Sequence, residues 1–278
     1  MSRRQRRMLR RARGQAVLKT VLLMAAAMMV IAGLFSHLPG NGTFQAEMMA
    51  QPTATPLTTA FDETVTTREI TLAQEVWYAI QTGVYSTQEA AQGRADAYAD
   101  RGAPGYVAHD GGKWRVLIAC YGEKADADAV RERLSAMQQV ETHLHTWDAP
   151  AVSMRLSGMN GQLDVAQTGL NLPLQAAGQL RDAAIALDAG ESNVESVLMT
   201  VQALNESLIL WEKTAKERFA VPYPAMIASV LDFTSAWPAM YSMIRKAENA
   251  TELSAQMKKQ AMAAYDALVQ MRTMLIGQ

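Results

Sequence analysis

Residues 77–85 read WYAIQTGVY, an apolar and aromatic run that contains one glutamine, Gln81. A run of this composition between polar flanks predicts a β-strand. Because side chains alternate along a strand, Gln81 shares a face with Trp77, Ala79 and Gly83. The opposite face is the better core face. Its residues are Tyr78, Ile80, Thr82 and Val84. We therefore expect Gln81 to point towards the open side of a sheet.

The residues around this strand show a regular order of predicted elements. A capping box at 86–89 begins a helix, and the pair Gly111-Gly112 predicts a two-residue hairpin. The elements, in chain order, are a strand at 75–85, a helix at 86–101, a strand at 105–110, a strand at 113–121, a helix at 124–137 and a strand at 140–147. This β-α-β-β-α-β order predicts an α+β, ferredoxin-like fold. It has a four-stranded antiparallel sheet with two helices on one face, and the other face is open.

The rest of the chain is predicted to be helical after one short strand. Residues 151–158, AVSMRLSG, predict one further strand at the edge of the sheet. From Gly161 onward the apolar spacing favours α-helices. Breaks at Gly190, the Pro222/Pro224 pair and Asn249 separate four of them, at 162–188, 193–218, 224–247 and 251–274. Short connections between them predict an all-α bundle.

Charge is distributed unevenly along the chain. The first 35 residues hold eight basic residues and no acidic one, whereas the whole chain has a net charge of −1, so the remainder carries −9. The run Val17–Phe35 is apolar apart from Lys19 and predicts a transmembrane helix at 16–36, with its N-terminus in the cytoplasm. A cleaved secretory signal is the alternative, and it gives the same topology. We expect a single-pass protein of the cytoplasmic membrane with extracytoplasmic domains.

These predictions divide the chain into five parts. They are a basic cytoplasmic tail at 1–15, the transmembrane helix at 16–36, a linker at 37–74, a sheet domain at 75–148 and the helical bundle at 149–278. The linker is assigned because it is rich in Pro and Thr and shows no sustained apolar period.

Two strand motifs, IQTGVY at 80–85 and WRVLIACY at 114–121, each precede an Ala-rich helix start, at 89–91 and 125–127. In this order they resemble the SPOR (sporulation-related repeat) domain, a bacterial family that binds peptidoglycan. The resemblance covers about residues 75–147. It implies binding to glycan strands stripped of their stem peptides, which occur where the cell wall is remodelled during division or sporulation. It implies no catalysis by this domain.

The sequence departs from the family pattern at two places. Val84 stands where many members have Ser, a polar group that can contact glycan. The pair Ala119-Cys120 replaces Gly-Pro at the end of the second motif, which alters the turn out of that strand.

The candidate glycan-binding residues are Gln81, Trp114, Arg115, Trp77 and Leu117. A neutral sugar polymer needs hydrogen-bond donors and acceptors, and an amide such as Gln81 supplies both. A muramic acid without its stem peptide exposes a carboxylate, which the guanidinium of Arg115 could pair with. Strand alternation groups Trp114 with core residues. Because it lies at the start of its strand, we expect it to curl over the rim of the sheet.

Other function classes lack a supporting pattern in the sequence. No Gly-rich phosphate loop, HExxH motif or Ser/His/Asp arrangement points to an enzyme, so no catalytic residue and no cofactor is predicted. The single cysteine excludes an internal disulfide and a Cys-rich zinc site. His143 and His145 lie without a paired carboxylate or cysteine cluster in the sequence and are interpreted as polar strand residues rather than metal ligands. Residues 75–147 hold seven basic and ten acidic residues, which disfavours nucleic acid.

The expected partners are therefore the glycan strands of peptidoglycan and the membrane, through a single N-terminal span. An alternative function is a membrane-tethered scaffold. In that case the C-terminal helical region binds a protein partner, and the sheet domain only localises it.

Overall fold

The computed structural model describes residues 64–138 and 140–277, so the basic tail and the predicted transmembrane helix at 16–36 lie outside the described residues. The strands are β1 Val65–Leu72, β2 Glu75–Tyr85, β3 Tyr106–Asp110, β4 Lys113–Tyr121, β5 His143–Ala149 and β6 Val152–Met159. The helices are α1 Gln88–Ala99, α2 Lys124–Gln138, α3 Asn160–Asp188, α4 Val194–Arg218, α5 Ala225–Arg245 and α6 Ala250–Ile276. Within this part of the chain, no helix is long and apolar enough to cross a membrane.

The predicted four-stranded antiparallel sheet is confirmed, with strand order β3-β4-β2-β5. Helices α1 and α2 pack on one face of it, where Ile80 and Val116 meet Tyr98 of α1. The predicted hairpin is also confirmed, because Gly111 and Gly112 have φ values of +57° and +70°, which favour glycine.

Two irregularities in the pairing of β2 with β4 change which side chains share a face. Ile80 pairs with Ala119 and Gln81 with Leu117, and this leaves Ile118 as an extra residue of β4. Gly83 then pairs with Val116, which leaves Thr82 as an extra residue of β2.

The second irregularity overturns part of the predicted alternation. Val84, opposite Arg115, lies on the Gln81 face. Tyr85 packs into the core beneath α1 and α2. Gly83 is on the same side as Tyr85, because a Cβ there would lie 2.7 Å from the Tyr85 hydroxyl oxygen. The expectation that Gly83 accompanies Gln81 and that Val84 faces the helices is therefore wrong. Strict alternation ignores the extra residue at Thr82.

The strand predicted at 151–158 is present as β6, but it does not join the edge of the sheet. It pairs with β1 instead, in a separate two-stranded antiparallel ribbon. Because β1 leads into β2 and β5 leads into β6, the ribbon continues the β2–β5 pair beyond a short break. β6 then runs directly into α3, so the ribbon connects the sheet to the helices.

The sheet face opposite α1 and α2 is not open, which corrects the predicted architecture. Trp77, Ala79, Leu117 and Trp147 on this face are buried in one hydrophobic core with residues of the C-terminal helices. Apolar side chains of this size expose a large surface unless another element covers them, and α3 and α6 supply that cover.

Tyr265 of α6 makes the central contact of this cover. Its ring stacks on Trp77, with the ring centroids 4.2 Å apart and an angle of 13° between the planes. Its hydroxyl lies 2.8 Å from the carbonyl oxygen of Glu75 and 3.0 Å from that of Trp147. The guanidinium of Arg181, on α3, lies 4.4 Å from the centroid of the Trp77 ring. Trp77 is thus held by both helices.

Arg272, near the end of α6, ties the helix to the break between sheet and ribbon. Its side chain is buried and donates hydrogen bonds to the carbonyl oxygens of Ala73, Ala149 and Pro150. These carbonyls belong to the two chain segments that leave the sheet for the ribbon. A buried guanidinium needs several acceptors, and the strand break provides them.

The predicted helices at 162–188, 193–218, 224–247 and 251–274 are confirmed within a few residues as α3 to α6. Close packing joins α3 and α4. A Cβ on Gly169 would lie 2.2 Å from the Trp211 ring, so only glycine fits there. The indole nitrogen of Trp211 donates to the carbonyl oxygen of Val165 at 2.9 Å. Pro173 and Pro238 lie inside helices α3 and α5.

Replacing Tyr265 with Phe should destabilise the chain while leaving the ring stack in place. The change removes the hydroxyl that bonds the carbonyl oxygens of Glu75 and Trp147, and we expect a loss of about 1–3 kcal/mol in the free energy of unfolding. Urea denaturation followed by tryptophan fluorescence measures it. Tyr241→Phe is the matched control, since the Tyr241 hydroxyl makes no side-chain hydrogen bond among the described residues, and we expect a change below about 0.5 kcal/mol. Equal effects of the two variants would contradict a specific role for the Tyr265 hydroxyl.

Candidate functional site

The helical cover ends partway along the sheet face. Trp77 is 2% exposed and Gln81 is 7% exposed, whereas Val84, further along β2, is 45% exposed. The side chain of His143, which pairs with Gln81 from β5, is 64% exposed. The end of the face that holds the second half of β2 is therefore accessible to a ligand.

Four polar side chains meet at this accessible end, one from each strand of the sheet. They are Gln81 of β2, Asp110 of β3, Arg115 of β4 and His145 of β5, which we call the rim cluster. Since β3 and β5 are the two edge strands, Asp110 and His145 reach towards each other over the central strands.

Arg115 is at the centre of the rim cluster. Its Nη1 donates to Oε1 of Gln81 at 2.9 Å, and its Nε donates to Oδ2 of Asp110 at 2.9 Å. These bonds fix the guanidinium plane and direct the Gln81 carbonyl inward. The amide nitrogen of Gln81 donates to no other described residue, so it is available as a donor. The carboxylate of Asp110 neutralises the charge of Arg115.

His145 completes the cluster without a hydrogen bond. Its side chain is 12% exposed, and its Nε2 atom is buried with no partner among the described residues. The nearest acceptor is Oδ2 of Asp110, 3.9 Å away, which exceeds hydrogen-bond length. Burial lowers the pKa of His145, Arg115 lowers it further, and Asp110 opposes both effects. The imidazole is therefore neutral near pH 7.

The structure brings together only two of the five candidate residues from the sequence, Gln81 and Arg115. Trp77 and Leu117 share their face but lie beneath α3 and α6, where they offer no surface to a ligand in this conformation. Trp114 lies on the opposite face, partly buried against the core under α1 and α2, with its ring centroid 4.4 Å from that of His109.

Asp110 and His145 were not identified as binding residues from the sequence. A signal existed for Asp110, because a two-residue hairpin fixes the register in which Ala108 pairs with Arg115, and Asp110 is then a diagonal neighbour of Arg115. No comparable signal existed for His145, whose position depends on the pairing of β2 with β5, strands separated by more than fifty residues. Among the described residues, no group of three or more His, Cys, Asp or Glu side chains could hold a metal ion.

Comparison with protein families gives a match to the SPOR domain over residues 77–142. This segment of the chain is therefore similar to SPOR domains. SPOR domains bind peptidoglycan and localise to division sites, and they are binding domains rather than catalytic ones. Comparisons with curated proteins and with solved structures gave no match. The matched residues run from Trp77 to the loop before β5. They include three members of the rim cluster and exclude His145, the ribbon and the C-terminal helices.

We expect the imidazole of His145 to titrate below the ordinary histidine range, because burial and the Arg115 cation both disfavour its charged form. Replacing Asp110 with Asn should lower this pKa further, since the carboxylate is the one group that raises it. Histidine ring NMR across a pH series measures both values. A rise in the His145 pKa in the Asn variant would contradict the proximity of the Asp110 carboxylate to His145.

Proposed function

We propose that this chain is a membrane-tethered peptidoglycan-binding protein whose SPOR domain holds glycan strands at the rim cluster. The observation that carries the proposal is the bonded set Gln81–Arg115–Asp110, which lies at the uncovered end of the SPOR sheet. The resemblance implies that the favoured strands are those stripped of stem peptides, at sites of wall remodelling in division or sporulation.

The chemistry of the rim cluster suits a sugar polymer. The free amide nitrogen of Gln81 can donate to a sugar hydroxyl or an N-acetyl carbonyl, and Asp110 can accept from a hydroxyl. The remaining N–H groups of Arg115 can donate to a further oxygen, including the lactyl carboxylate of muramic acid. Because Asp110 already neutralises Arg115, an incoming carboxylate competes with it. We therefore expect hydroxyl and amide contacts to supply most of the affinity.

The tether is proposed on the sequence alone. The basic residues of 1–15 and the apolar run at 16–36 support a single span of the cytoplasmic membrane, with the N-terminus in the cytoplasm. In that topology residues 64–277 lie outside the cytoplasm, where the cell wall is. The alternative function, a scaffold whose C-terminal helices bind a protein, is less favoured because α3 and α6 already pack on the chain's own sheet.

Binding should be measured by co-sedimentation of the full chain, kept in mild detergent, with wall sacculi whose stem peptides an amidase has removed. We expect Gln81→Ala to weaken binding on the order of tenfold, which corresponds to about 1.4 kcal/mol. Gln92→Ala is the matched control, because Gln92 is an exposed amide on α1, on the other side of the sheet. If the wild-type chain does not pellet with treated sacculi, the proposed function is wrong.

Val84 offers a test by gain of affinity. It lies on the Gln81 face opposite Arg115, and the family often has a polar residue there. Val84→Thr adds a hydroxyl at nearly the same volume and keeps the β-branched shape that suits a strand. We expect glycan binding about 2- to 10-fold tighter, the value of one hydrogen bond. The control Val84→Ala should show no gain. A Thr variant that binds like the wild type would place the glycan away from Val84.

A further inference from the structure

The buried Nε2 of His145 is a polar group that the fold leaves without a partner, at the edge of an accessible site. We propose that His145 and Asp110 together bind one neutral sugar hydroxyl of the glycan. His145 thereby becomes a specificity-determining residue of the SPOR site, although it lies outside the residues that match the family. This inference rests on the proposed function, because it assigns a ligand to the same site.

The geometry of the pair supports a bridging oxygen. The 3.9 Å between Nε2 of His145 and Oδ2 of Asp110 is too long for a direct hydrogen bond. One oxygen placed beside both atoms can lie at about 2.8 Å from each. Because Nε2 is buried, the side chains of His145 and Asp110 must separate slightly to admit this oxygen. A hydroxyl fits because it can accept from the N–H of a neutral imidazole and donate to the carboxylate at the same time.

The surroundings of His145 determine the class of ligand. Arg115 and Asp110 balance each other in charge, and His145 adds none while it is neutral. A buried donor beside a carboxylate favours a group that donates and accepts, as an alcohol does. It disfavours an anion, which Asp110 would repel, and an apolar group, which would leave Nε2 unpaired. The contact should therefore depend little on ionic strength.

Residues from the two edge strands form the proposed hydroxyl-binding pair. Asp110 ends β3 and His145 belongs to β5, so the pair closes over the central strands, where Gln81 and Arg115 lie beneath. Gln81 bonds Arg115, which also bonds Asp110, so the Gln81 amide lies close to the proposed sugar position. Hydroxyl recognition by His145 and Asp110 therefore adds to the contacts of the predicted residues and does not replace them.

The test compares two substitutions at His145 in the full chain, again with amidase-treated sacculi. His145→Gln places an amide N–H near the position of Nε2, whereas the shorter side chain of His145→Asn does not reach it. We expect the Asn variant to bind about tenfold more weakly and the Gln variant to stay within about threefold of the wild type. His109→Asn, beside Trp114 on the opposite face of the sheet, should bind like the wild type. The penalty of the Asn variant should be similar at low and high salt.

The outcomes separate the two proposals. If the wild-type chain fails to bind treated sacculi, both the proposed function and the inference are wrong. If the wild type binds and His145→Asn binds equally well, the inference is overturned while the proposed function stands. Equal losses in the Gln and Asn variants, with far-UV circular dichroism unchanged, would also overturn it, because the loss would then not depend on the N–H group. A penalty that disappears at high salt would indicate an ionic contact and would overturn the neutral-hydroxyl assignment.

Discussion

The stack of Tyr265 on Trp77 represents the constraint on which the rest of the structure depends. A sheet with Trp77 and Trp147 on one face cannot leave that face in water without exposing a large apolar patch. Helices α3 and α6 cover it, and Arg272 ties α6 to the strand break. The four-stranded sheet and the C-terminal helices therefore share one core. The sheet residues 75–148 alone lack the cover that buries their aromatic side chains.

Local sequence signals predicted the elements of this fold well. The hairpin at Gly111-Gly112 and the four C-terminal helices depend on residues close in sequence, and all were found near their predicted bounds. The cover on the sheet was not predicted, because it depends on the approach of α6 to a strand nearly two hundred residues earlier. The predicted face of Val84 was wrong for a different reason. One extra residue at Thr82 reverses the faces of everything that follows in β2.

The site was predictable to a similar extent. An amide in an apolar strand and a cation in its neighbour were visible in the sequence, and the structure joins Gln81 to Arg115 directly. Trp77 looked equally suitable for sugar binding, because an aromatic ring on a sheet face suits both a ligand and a protein core. Only the three-dimensional position of Tyr265 distinguishes these uses. His145 could not be found, since its place in the rim cluster depends on the arrangement of both edge strands.

A glycan that binds the covered part of the face must first displace the helices, whereas one that binds the uncovered part need not. The free-energy cost of this displacement favours the uncovered part. Uncovering Trp77 and Trp147 would expose roughly 200 Å² of aromatic surface each, at a cost of about 5 kcal/mol per side chain. A hydrogen bond to a sugar contributes only about 0.5–1.5 kcal/mol. Several such bonds would be needed to displace the helices before any net affinity appeared. Binding at the rim cluster carries no such penalty, because Arg115 and Asp110 are already accessible beside Val84. In the proposed function, the same helices that shield the aromatic residues therefore confine glycan recognition to the polar end of the sheet.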